Sequence, residues 1–155
     1  MLEKDRKRCL VIESVLDGKG TKSRSIGFQA RLQEAGLFSS NLFVQHDLAI
    51  ELNAYRKVMS ALNNEGFHFD AAFCETDNIA YGVLLACQDF GLRVPEDFSI
   101  VGFDDLLEGA GNITTIKQDL DSITNAVIEL LSEAREQKPE RNIMIPVNLV
   151  ARGTT

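Results

Sequence analysis

The sequence predicts an α/β fold with three layers, α/β/α, built on a mostly parallel sheet. Two patterns lead there. Four short, mostly apolar runs, at 9–15, 41–44, 69–74 and 98–103, the first of them β-branched, alternate with stretches of helical periodicity. Strands and helices that alternate at this spacing imply right-handed crossovers and helices on both sheet faces. In addition, 155 residues with 45% apolar content suffice for one core, since a domain this size removes about 70% of its unfolded surface from water.

The elements follow in order. Residues 9–15 form a buried strand that runs into the loop Asp17-Gly18-Lys19-Gly20. Thr21 or Ser23 then caps a helix to about Ala35, with Ile26, Ala30 and Leu32 near one side and Gly36 as its stop. After the strand at 41–44, residues 48–65 carry Ala54, Val58, Ala61 and Leu62 on one stripe. The strand at 69–74 leads to a helix capped by Asp77 and running to Phe90. A turn around Pro95 introduces the strand at 98–103, which ends at Asp104-Asp105. Beyond it come a short strand at 113–116, an amphipathic helix at 120–136 and a last extended run at 142–150. The helix at 120–136 places Ile123, Val127, Leu130, Leu131 and Ala134 on its apolar side.

Composition narrows the function classes. Sixteen basic against twenty-three acidic residues leave a net charge of −7, which repels a phosphate backbone unless positive charge is segregated. The cluster Lys4, Arg6, Lys7, Arg8 reads as a solvated lead-in to the first strand. No apolar run reaches the ~20 residues of a membrane span and no secretory segment follows Met1, so a soluble cytoplasmic protein is expected. Cys9, Cys74 and Cys87 form no C-x-x-C pair, and Cys9 and Cys74 sit in apolar runs as small core residues. His46 and His68 are the sole histidines and have no metal spacing, so neither a metal, a cofactor nor a catalytic constellation is expected.

Open parallel sheets bind ligands at the carboxyl ends of their strands. Three loops there carry the chemistry. Asp104-Asp105 could accept hydrogen bonds from a polyhydroxy ligand or could simply cap a turn. Arg24, in the first turn of its helix, faces the same sheet edge, and Glu75-Thr76-Asp77 adds polar groups at a third strand end. A rival arrangement uses the glycine-rich stretch from Gly18 to Ser23 as a phosphate loop and Asp47 as a ribose acid. It is a partial match, because Ser23 stands where a third glycine belongs and no Gly-Lys-Ser/Thr order occurs.

Five stretches resemble, in order, the C-terminal half of LacI/GalR-type transcription regulators: Arg24 to Phe28, Asp70 to Gly82, Gly91 to Asp105, Ile113 to Gln118, and Pro146 to Thr155. The resemblance implies the C-terminal lobe of a type I periplasmic-binding-protein-like core. In that scheme residues 1–118 form the lobe, 119–145 return to the N-terminal lobe and 146–155 close the C-terminal lobe, with no DNA-binding headpiece in this chain. It further implies a sugar or purine-like effector, operator control through the headpiece, and a homodimer paired through the helix Ile79 to Phe90. Arg24 and Asp104 match the effector-bonding arginine and aspartate, and Thr76 stands where many members have asparagine. Leu48 and Leu120 stand where sugar-binding members often place an aromatic ring, so the set expected to bind ligand is Arg24, Leu48, Thr76, Asp77, Asp104 and Leu120. Two alternatives accompany it, a small nucleotide-dependent Rossmann-like enzyme and a periplasmic-type sugar transport receptor. In such regulators the helix at 120–136 packs on the other lobe, so its stripe is expected here to dock elsewhere, pair with a second copy, or fray.

Overall fold

A computed structural model describes residues 6–16, 19–20, 23–105 and 111–155. Eleven elements follow one another: β1 (Arg8–Leu16), β2 (Lys19–Gly20), α1 (Ser23–Glu34), β3 (Phe38–Gln45), α2 (Ile50–Leu62), β4 (Ala71–Cys74), α3 (Asp77–Phe90), β5 (Ser99–Asp104), β6 (Thr114–Gln118), α4 (Leu120–Arg135) and β7 (Val147–Val150). The predicted alternation is present, with element ends moved by a few residues. The strand expected at 41–44 extends to Phe38–Gln45, and the extended run expected at 142–150 is a strand only over Val147–Val150.

One sheet collects all seven strands. β3, β1, β4, β5 and β6 are parallel neighbours in turn, and β7 closes the far edge antiparallel to β6. β2, formed where a loop was expected, pairs back on β1 through Val15↔Gly20 and Leu16↔Lys19. From β1 the chain moves first outward to β3 and then across to β4 and β5. Crossovers of one hand in opposite directions put their helices on opposite faces. Accordingly α1 covers one face, where Leu32 and Phe28 meet Cys9, Val11, Phe73 and Val101. The other face carries α2 and α3, whose Ala54, Val58, Ile79 and Val83 pack with Leu10, Ile12 and Ile100. Alternate residues of β1 therefore serve two cores, the period-2 consequence of a sheet buried on both sides.

Close approach explains two glycines. A Cβ on Gly82 would lie 2.2 Å from the Glu51 carbonyl oxygen, so only glycine lets α3 pack this tightly on the start of α2. Gly102, in β5, faces Asp77 in the same way, as described below. All three cysteines are buried, and burial pushes the thiols of Cys9 and Cys87 up to about 12 and that of Cys74 well above its ordinary value.

Two expectations need correction. The basic lead-in is not simply solvated: Arg6 donates from Nε to Ser99 Oγ at 3.0 Å and from Nη2 to the carbonyl oxygens of Glu96, at 2.8 Å, and Pro95. The backbone N–H groups of Lys7 and Arg8 donate to the Asp70 carboxylate, so the segment ties β1 to the turns before β4 and β5. Lys4 lies outside the described residues. The second correction concerns the cap of α3: Thr76, not Asp77, is the N-cap, its hydroxyl accepting from Ile79 N–H at 3.3 Å.

α4 is helical for sixteen residues, capped by Asp119 on the Ser122 N–H, yet none of its residues is buried. Its apolar stripe neither docks elsewhere among the described residues nor loses helical form. The segment behind it folds back on the helix, with Arg141 paired to Glu129 and Glu133. No helix among the described residues is long and apolar enough to cross a membrane.

Candidate functional site

Five chain segments reach one rim of the sheet, because parallel strands all point their carboxyl ends the same way. β1 delivers Ser14, β4 delivers Glu75, β5 delivers Phe103 and Asp104, β6 delivers Gln118, and the first turn of α1 brings Arg24. Arg24 is the hub. Its Nη2 lies 2.9 Å from Asp104 Oδ1, and its Nη1 donates to the Glu75 carbonyl oxygen at 2.7 Å and to Asp104 Oδ2 at 3.2 Å. The guanidinium sits 4.1 Å from the centre of the Phe103 ring, a cation on an aromatic face. Gln118 Nε2 donates to Asp104 Oδ1 at 2.7 Å from the opposite side. The pair is partly open, with side-chain exposures of 30% for Arg24 and 18% for Asp104, so a guest can reach both groups.

Behind Arg24, Glu75 is buried and its Oε2 accepts from both the N–H and the hydroxyl of Ser14, at 2.7 and 2.8 Å. A buried carboxylate bonded in this way fixes the β1 and β4 ends relative to each other. Asp77 is also turned inward. Its Oδ2 accepts from the Asp105 N–H at 2.8 Å and its Oδ1 from the Thr115 hydroxyl at 2.6 Å. The backbone it holds is unusual: Asp104 has φ 110° and Asp105 φ 58°. Positive φ outside glycine costs on the order of 1–3 kcal/mol per residue and persists where surrounding contacts over-determine it. Asp105 itself is bonded to Arg152 at 2.6 Å and lies 3.5 Å from Lys117. The Arg152 hydrogen bond, then Lys117, hold its carboxyl below the usual carboxylate range.

Asp104 stands between two open cavities. One, of about 470 Å3, is lined by His46, Leu48, Glu51 and Thr76 among others. The other, of about 500 Å3, is lined by Lys117, Asp119, Leu120 and Asn148 among others. The structure thus brings Arg24, Thr76, Asp77 and Asp104 together, and sets Leu48 and Leu120 at opposite ends as exposed flanks. Carboxylates dominate both walls, with Asp47, Glu51, Asp77 and Asp104 on one and Asp104, Asp105, Asp119 and Asp121 on the other, against Lys117 alone. A third hollow, of about 450 Å3 beside α4 and lined by Leu130, Pro139 and Arg141 among others, shares none of these residues.

Sequence reasoning missed Ser14, Phe103, Gln118 and Arg152. Phe103 directly precedes Asp104 and Gln118 ends β6, so both could have been found by reading one residue around each strand end, whereas Ser14 lies inside β1, two residues before its end. Arg152 is 47 residues from Asp105, and no local pattern signals that contact. Asp47, the rival ribose acid, accepts from Ala49 N–H at 2.8 Å and Asn53 Nδ2 at 2.9 Å, which makes it the turn that opens α2. Of the glycine-rich stretch, only Lys19–Gly20 and Ser23 fall within the described residues. Among the described residues no cluster of His, Cys, Asp and Glu is placed to hold a metal ion.

The comparisons with known proteins agree with this geometry. The model of the periplasmic binding protein-like domain matches residues 6–155. The transcriptional repressor PurR of Klebsiella pneumoniae is 30% identical over 96% of this chain, which spans 44% of that repressor's length. A solved dimeric Lac repressor superposes with a TM-score of 0.83 at 26% identity, covering 99% of this chain and 57% of its own. A LacI family regulator from Arthrobacter sp., solved with lactose, shares the fold at a TM-score of 0.84 and 23% identity, over 99% of this chain and 60% of its own. The chain belongs to the periplasmic binding protein-like domain family, in the form carried by LacI/GalR-type regulators.

Proposed function

We propose that this chain is the effector-sensing lobe of a transcription regulator, and that its ligand is a small, neutral, polar molecule, sugar-like or purine-like. The observation that carries this is the Arg24–Asp104 pair, a fixed donor fork beside a fixed acceptor, of which Asp104 lines both cavities. A guest that offers both an acceptor and a donor, such as a diol or a base edge, satisfies them together. The acidic walls favour an uncharged guest over a phosphorylated one. Leu48 and Leu120 provide apolar flanks without a stacking ring, which suits a compact ligand.

The wider assignment rests on the regulators to which the chain is similar. Residues 1–118 are the lobe, 119–145 return to a second lobe, and 146–155 complete the first. Ligand captured between two lobes shifts the population of their arrangements, and operator affinity in the full-length protein follows. The protein acts in the cytoplasm as a homodimer and is not an enzyme. The half-exposed Tyr81, Leu85 and Phe90 of α3 support pairing through that helix.

Calorimetry and thermal shift test the reading. The chain is titrated with neutral sugars, purine bases, their phosphorylated counterparts and nicotinamide nucleotides. Stabilisation by a neutral sugar or purine, lost in Arg24→Ala, is expected. Stabilisation by nicotinamide nucleotides alone overturns the sensor reading in favour of the enzyme.

A further inference from the structure

We infer that Asp77 and Arg152 are positioning residues that hold Asp104 in its ligand-accepting pose, and that Arg152 thereby links the C-terminal tail to the effector cleft. A Cβ on Gly102 would fall 2.2 Å from Asp77 Oδ1, so β5 carries glycine where the aspartate must enter. Once there, Asp77 is only 5% exposed and spends its two oxygens on two strands, the Thr115 hydroxyl of β6 and the Asp105 N–H past β5. The second bond fixes the peptide that follows Asp104. Both residues flanking that peptide have positive φ, a conformation that aspartate rarely adopts unaided. Without this anchor the turn relaxes toward ordinary backbone and swings the Asp104 carboxylate off Arg24.

Arg152 holds the same turn from the other side. Its Nη2 donates to Asp105 Oδ1 at 2.6 Å while Nη1 donates to the Ile113 carbonyl oxygen at 2.9 Å. Two residues later Thr154 is locked to β5 and β6. Its carbonyl oxygen accepts from Ile100 N–H, and its hydroxyl donates to the Ile100 carbonyl and accepts from Thr114 N–H. One guanidinium therefore joins a tail bolted to the sheet with the residue next to the cleft acid. A displacement of the tail reaches Asp104 through a single side chain, and ligand that reorients Asp104 reaches the tail by the same route.

The claim rests on the sensor reading only for its consequence, because the test needs no ligand. Arg24 lies over the Phe103 ring, so in the labelled chain its side-chain proton resonances are displaced upfield by the ring current. Arg24→Lys assigns them. In Thr115→Val, Asp77→Asn and Arg152→Gln chains that retain a folded amide spectrum, the Arg24 resonances move by at least half the distance back to free-arginine values. Arg152→Lys, which keeps a charge on Asp105, restores part of the displacement. Unmoved Arg24 resonances in folded Thr115→Val and Arg152→Gln overturn the proposal, even if the melting temperature falls, since stability loss alone is what a purely structural role predicts. Should Asp77→Asn fail to fold, Thr115→Val and the partly exposed Arg152 decide the matter. A ligand screen that finds nothing, with Arg24 shifted as described, refutes the sensor reading and leaves this one standing.

Discussion

Arg24 and Asp104 lie 80 residues apart in the chain and meet at 2.9 Å, each held by further partners, on the rim where the parallel strands end. Removing either side leaves the other charge partly buried without its partner. With a ligand from the screen above, Asp104→Asn and Arg24→Ala are each expected to weaken binding roughly 10- to 100-fold, the range for losing a charged hydrogen bond of about 1.5–3 kcal/mol. Calorimetry of folded variants checks this, and unchanged affinity in both would remove the pair from the site.

Glycine positions give a paired contrast in stability. Gly102→Ala drives a methyl group into the Asp77 carboxylate and should cost about 1–3 kcal/mol, lowering the melting temperature by roughly 2–4 °C for each kcal/mol. Gly27, inside α1, has nothing within 4 Å of its would-be Cβ, so Gly27→Ala should stabilise by roughly 0.5–1 kcal/mol through helix propensity. Both values come from thermal melts. A Gly102→Ala chain as stable as the parent would mean that the Asp77 pocket yields easily.

Acid sensitivity has a defined sign. Arg93, through hydrogen bonds from its side chain and its backbone, holds the Asp97 carboxyl down to about 2, and Arg152 holds that of Asp105 below its usual value. A carboxyl whose folded value is depressed contributes stability that is present above its unfolded value, near 4, and lost as pH falls through the folded value. Urea midpoints should be level from pH 7 to about 5 and decline from about pH 4 toward 2. Arg93→Ala and Arg152→Gln should each flatten that decline; a decline of unchanged steepness in both variants would show that other carboxyls dominate.

Position on α4 should matter little to the stability of the isolated chain. Leu131 is 61% exposed and touches no core, so Leu131→Ala is expected within about 0.5 kcal/mol of the parent. Phe73, stacked on Phe28 at a ring separation of 4.3 Å and fully buried, should cost about 3–5 kcal/mol as Phe73→Ala. Chemical denaturation compares the two. A large loss at Leu131 would reveal a packing partner for this helix in solution.

Much of this was open to reading along the chain, and the reason is local. Whether 98–103 is a strand, whether 77–90 is a helix, and which loops follow strand ends all depend on periodicity and capping within a dozen residues. Arg24, Thr76 and Asp104 could be singled out because a parallel sheet sends every strand end to one rim. Folding alone decided how those loops were divided in labour. Asp77, adjacent to a good helix cap, turned inward because Gly102 left room and Thr115 offered a hydroxyl, both strands away. Arg6 and Arg152 became clamps for the same reason: their partners lie 93 and 47 residues distant, and a long flexible cation shows its partner only when the sheet has assembled around it. The stripe on α4 is the converse case, since amphipathic spacing specifies a helix and an apolar face while saying nothing about what will cover it.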